Sequence, residues 1–151
     1  MVQIGQLWIQ GLTQKNYFGN PRFFGQVVNK TGKATGARIQ TTFWKDEVVL
    51  QDRSTGPLGY VELGPGEAAA FDVLLPEQWD RYQISADLTP TDQFAKQPGL
   101  TVISDELNTT PAGGRELTGE VKNNGSEPET RLLLILTAVD AAHSVVCAAT
   151  V

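Results

Sequence analysis

Two stretches of the chain spell out the same strand and turn. Phe23–Gly32 reads FFGQVVNKTG and Glu116–Gly125 reads ELTGEVKNNG. Gly25, Val27 and Asn29 line up with Gly119, Val121 and Asn123 at one common spacing. Upstream, LWI at Leu7–Ile9 matches LTV at Leu100–Val102. Downstream, ARIQTTFWKD matches TRLLLILTAVD with one inserted residue, and Asp46 then meets Asp140. EVVLQD corresponds to SVVCAA. Strand, loop, strand, Asn turn, strand, Asp turn and strand recur in one order, which means tandem copies of one fold. The first copy continues through Leu63–Glu67 (LGPGE), Phe71 and Val73 to a closing strand; the second has no such continuation. One complete module and a partial second copy are expected.

The segments themselves read as strands. Ile39, Thr41 and Phe43 alternate with Gln40, Thr42 and Trp44, and Tyr82, Ile84 and Ala86 alternate with Gln83, Ser85 and Asp87. Period-2 alternation over short runs bounded by Gly, Pro, Asn and Asp is the mark of antiparallel sheet. Gly25 inside a strand marks a bulge or a close approach. PEQWDRY at Pro76–Tyr82 offers at most a helical turn. Thr130–Val139 is apolar on both faces and reads as a central strand. The texture breaks at TPTDQFAKQPG (Thr89–Gly99), which has prolines, a glycine and no alternation. The expected fold class is therefore all-β: an antiparallel β-sandwich over residues 1–90, a linker over 91–99, and a partial second copy of the same strand order over 100–151.

Over Leu7–Leu88 the chain resembles the FxLYD domain family, through GQVVNKTGKATGARIQTTFW, LGPGEAAAFDV and RYQISADL. The sequence departs from the name-giving motif: TTFWKD places Lys45 between Trp44 and Asp46, and the second copy reads LTAVD with no aromatic residue. The resemblance implies an Ig-like sandwich and an extracytoplasmic, non-catalytic module of an exported or cell-envelope bacterial protein. Met1–Val2–Gln3 lacks the basic start of a signal peptide.

Charge and composition exclude several classes of partner. Net charge is -5 with no basic block, so phosphate backbones are repelled and nucleic acid is not an expected partner. No apolar run reaches the roughly 18 residues that span a bilayer. One cysteine, Cys147, forms no internal disulfide and sits in an apolar strand where a buried structural thiol is expected. His143 is the one histidine. No nucleophile elbow, phosphate loop or dinucleotide fingerprint occurs, so neither a catalytic site nor a cofactor is expected.

Two ligand classes remain as alternatives to a spacer or protein-interaction role. Asp46, Glu47 and Asp52 lie near one hairpin, and Asp87, Asp92 and Asp105 flank the linker; calcium is the cation that such carboxylates would take, though no dense acidic run assigns a metal site. Trp44 and Tyr17 are the candidate residues for stacking a sugar ring, because Trp44 points away from the face of Phe43. A partial copy leaves apolar sheet uncovered, so a protein partner or self-association into a homo-oligomer is also expected.

Overall fold

The structure is a computed structural model and describes residues 2–4, 6–58, 62–89, 99–128, 132 and 134–150. The strands in chain order are β1 (Val2–Ile4), β2 (Leu7–Tyr17), β3 (Asn20–Asn29), β4 (Gly36–Lys45), β5 (Val48–Thr55), β6 (Ala68–Leu74), β7 (Arg81–Thr89), β8 (Leu100–Thr109), β9 (Arg115–Asn123), β10 (Ile135–Val139) and β11 (Val145–Thr150). Among the described residues no helix forms; the turn between β6 and β7 instead places Trp79 against the core. The chain divides into two compact units, one of Met1–Ala95 with Leu133–Val151 and one of Lys96–Leu132. The expected linker, 91–99, lies outside the described residues except for Gly99.

In the larger unit one sheet runs β1-β2-β3-β6 and another runs β5-β4-β7, and every pairing is antiparallel. Alternation decides which side chains go inside. Ile39, Thr41 and Phe43 of β4 are buried, and so are Ile84 and Ala86 of β7. Leu7 and Ile9 of β2, Phe23 and Val27 of β3, and Ala69, Phe71 and Val73 of β6 join them in one cluster. The two sheets thus share a single core, the arrangement that lets each bury one apolar face. At one end Phe23, Phe43, Trp79 and Tyr82 pack ring on ring, with centroids between 4.8 and 6.2 Å apart.

The other face of the four-stranded sheet is apolar as well. Phe24 and Val28 of β3 and Ala70 of β6 point away from the shared core and are still buried. The β10–β11 hairpin packs through β11 against β2, β3 and β6. Its Val145 is fully buried, and the Val145 carbonyl accepts a hydrogen bond from Thr13 Oγ1. Gly11 sits in the bulge of β2 at φ +61°, and a Cβ there would lie 2.8 Å from the His143 carbonyl oxygen. Both the left-handed backbone and the close approach require glycine. Thr130–Val139, read from sequence as a central strand, has a different setting. Its described strand, β10, pairs with β11 in a two-stranded sheet, half-buried over Ile135–Thr137 and exposed at Ala138 and Val139, and it is β11 that contacts β2, β3 and β6. Val145→Ala is expected to cost about 2 kcal/mol, the usual range for shortening a buried aliphatic side chain. Hydrogen exchange should rise first across β10 and β11, where the lost contacts lie.

The smaller unit is the β8–β9 hairpin. Opposed pairs place Leu100, Val102, Leu107, Leu117 and Val121 on one face and Thr101, Ser104, Glu106, Glu116, Thr118, Glu120 and Lys122 on the other. The apolar face is open: Val102 is 60%, Leu107 61% and Leu117 45% exposed.

Candidate functional site

The two Asn turns singled out in the sequence have the same local geometry. In the first, Asn29 Oδ1 accepts from the Thr31 amide at 2.8 Å and Asn29 Nδ2 donates to the Lys33 carbonyl at 2.8 Å. In the second, Asn123 Oδ1 accepts from the Gly125 amide at 2.8 Å and Asn123 Nδ2 donates to the Glu127 carbonyl at 2.8 Å. The strand register agrees too. Leu7 opposes Asn29 and Ile9 opposes Val27, as Leu100 opposes Asn123 and Val102 opposes Val121. Each hairpin then bulges in its first strand. Lys30 N donates to the Gln6 carbonyl at 2.8 Å, and Asn124 N donates to the Gly99 carbonyl at 2.7 Å.

The surroundings of the two turns differ. Asn29 is fully buried, and its Nδ2 also donates to the carbonyls of Leu63 at 2.8 Å and Gly64 at 3.1 Å. The backbone joins in: Asn29 N donates to Glu67 O and Gly66 N donates to Asn29 O. Glu67 closes the loop from within, its Oε2 accepting from the Gly64 amide at 2.7 Å. These bonds fix the Leu63–Glu67 loop, which launches β6 along the edge of β3. Asn123 is exposed, and among the described residues β9 pairs with β8 alone.

A second hairpin similarity lies in the larger unit. β4–β5 passes from the Phe43–Gln51 pair to the Trp44–Val49 pair, skipping Leu50. β10–β11 passes from Ala138–Cys147 to Val139–Val145, skipping Val146.

Trp44 lies on the outward face of β4, half-buried, with the Arg81 guanidinium 4.3 Å from its ring centroid. Arg81 in turn meets Glu47 at 3.2 Å. A cation over the ring is attracted by its quadrupole, so Arg81 covers one face of Trp44. The side chain of Tyr17 lies outside the described residues. Sequence pattern did not single out Arg81, because it meets Trp44 only through the β4–β7 register.

The acidic candidates of the β4–β5 hairpin make separate bonds, Glu47 and Asp52 through their carboxylates and Asp46 through its backbone. The Asp46 amide donates to Asp80 Oδ2 at 2.9 Å, Glu47 faces Arg81, and Asp52 Oδ1 accepts from Thr42 Oγ1 at 3.1 Å. Among the described residues no three His, Cys, Asp or Glu side chains gather to hold a metal ion. Asp92 lies outside the described residues.

A cavity of about 690 Å³ opens between the β10–β11 turn and the four-stranded sheet, lined by Gln10, Gln26, His143 and Ser144 among others. His143 is exposed at φ +60°, and among the described residues no acceptor or donor engages its ring. Nucleophilic chemistry needs a base tied to a nucleophile and oriented by a third group, and the lining supplies no such chain of bonds. Cys147 is half-buried opposite Ala138. No helix is long and apolar enough to cross a membrane among the described residues.

The remaining reactive surface is backbone. Among the described residues β7 pairs only with β4, and its core-side Tyr82 and Leu88 are 40% and 49% exposed at the two ends of the strand. Val48, Val49 and Leu50 of β5 form an exposed apolar run on another edge. Open edges of this length offer unpaired N–H and C=O groups to a further strand. No protein-family model matches the chain, and no curated protein or solved structure does.

Proposed function

We propose that the protein is a non-enzymatic, Ig-like β-sandwich module carrying a second, partial copy of the same strand order, and that it serves an exported or cell-envelope protein as a spacer or protein-interaction domain. The Ig-like assignment draws on the crossings: the chain leaves one sheet after β3, returns before β6 and crosses again to β7, in the manner of a Greek-key sandwich. The copy assignment draws on the shared register, the shared Asn-turn hydrogen bonds and the shared bulges of the paired hairpins. The extracytoplasmic setting draws on the resemblance to FxLYD domains.

One observation carries the interaction role. Two hairpins of matching register meet different fates, one edged by β6 and covered by the β5-β4-β7 sheet, the other, among the described residues, with its apolar face exposed and its β9 edge unpaired. An exposed apolar sheet face marks a place where another polypeptide sits. The competing reading is a sugar- or calcium-binding module. A glycan array probed with the full chain and with Trp44→Ala, together with thermal melts at rising calcium, separates the two. The expected result is no glycan retained and no calcium-dependent rise in Tm. A glycan bound by the wild type and lost in Trp44→Ala would overturn the proposal, and so would a calcium-dependent rise, because a ligand held by the native state lifts Tm.

A further inference from the structure

We infer that the β8–β9 hairpin accepts an extended segment of a partner protein, which adds antiparallel to β9 with a backbone carbonyl on Asn123 Nδ2 and a basic side chain beside Glu116. The inference rests on the interaction reading above and names the partner's chemistry. Its template is internal. β3 has the register of β9, and its outer edge is filled by β6 from Arg22–Leu74 to Val28–Ala68.

The aligned glycines differ in what crowds them. Gly25 opposes Phe71, whose ring a Cβ would meet at 2.8 Å, whereas a Cβ at Gly119 would meet the Ser104 carbonyl oxygen of β8 at 2.6 Å. Two other features of the β3–β6 pair translate into requirements. First, Asn29 Nδ2 donates to two carbonyls of the loop that brings β6 in. Among the described residues Asn123 Nδ2 donates to Glu127 alone, so its amide retains a hydrogen for the carbonyl of an incoming turn. Finally, Arg22 pairs with Asp72 across the strands. The residue in the place of Arg22 is Glu116, so charge complementarity asks for Lys or Arg where β6 has Asp72.

The same charge argues against a second copy of this chain as the donor, since its β6 would bring Asp72 against Glu116. The reverse face of β9 agrees with a strand that is covered on one side only. Where β3 has Phe24 and Val28 beneath the β10–β11 hairpin, β9 has Thr118 and Lys122, which stay in water.

The test titrates the full chain with two labelled peptides spanning the sequence of Leu63–Leu75, one unmodified and one with lysine in place of Asp72, read by fluorescence anisotropy. The lysine peptide should bind saturably, about threefold tighter than the unmodified one, as expected for an exposed cross-strand charge pair. E116R should reverse the order, and Asn123→Ala should weaken both peptides. Glu116 is exposed, so E116R should melt like the wild type, and the lysine peptide is itself disfavoured beside Arg22, which confines the signal to the hairpin. Three results would overturn the inference: no saturable binding of the lysine peptide, an order of affinities indifferent to E116R, or light scattering that shows the wild type already closed as a dimer through the hairpin. None of these would touch the spacer reading, which falls instead by glycan or calcium binding.

Discussion

Asn29→Ala should lower the stability of the larger unit by about 3 kcal/mol, because each buried polar group left without its partner costs roughly 1–3 kcal/mol. The substitution strips the Thr31 amide of its acceptor and the Lys33, Leu63 and Gly64 carbonyls of a shared donor. Leu63 is fully buried, so water does not readily replace the amide there. For a domain of this size that loss corresponds to a fall in Tm of about 15 °C. Asn29→Asp should be worse than Ala, since it turns a carboxylate oxygen toward the same carbonyls. Asn123→Ala provides the internal comparison. Its turn has the same bonds, but they are exposed, and the expected cost is below about 1 kcal/mol. Urea denaturation of the three variants checks the ranking. Equal costs at Asn29 and Asn123 would show that the tie to the Leu63–Glu67 loop contributes nothing.

That contrast also marks how much of the molecule was legible beforehand. The two Asn turns were visible in the sequence because a side-chain amide bonding its own following residues is a local event, encoded within five positions. The inward set of β4 was visible for a similar reason: Ile39, Thr41 and Phe43 alternate with polar neighbours, and a half-buried strand leaves that imprint. What covers each strand was not legible. Phe24 and Val28 break the alternation of β3 because they face β10–β11, more than a hundred residues away in the chain. The apolar run ending at Val139 reads as central for the converse reason: hydrophobicity on both faces does not say how many neighbours a strand has. The face of Trp44 does not foretell Arg81, because the β4–β7 register that sets Arg81 over it is a long-range fact. Strand identity is thus a local property here, whereas edges, partners and the candidate binding surfaces arise from pairings between distant segments.

Phe71→Ala should be the most damaging single change in the core, at about 3–5 kcal/mol, the range for deleting a buried aromatic ring. Phe71 is fully enclosed and spans the space above Gly25, where Cζ, Cε1 and Leu12 Cδ1 would lie 2.8, 3.1 and 3.2 Å from a new Cβ. The same geometry predicts a coupling. Gly25→Ala alone should destabilise by about 1–3 kcal/mol, because a methyl group is forced into ring atoms that are held by the core on every side. In a Phe71→Leu background the ring edge is gone, and the cost of Gly25→Ala should shrink by at least about 1 kcal/mol, as contacting residues couple non-additively. A four-member cycle measured by chemical denaturation gives the coupling directly. If the two substitutions simply add, the glycine is present for its backbone and not for the ring.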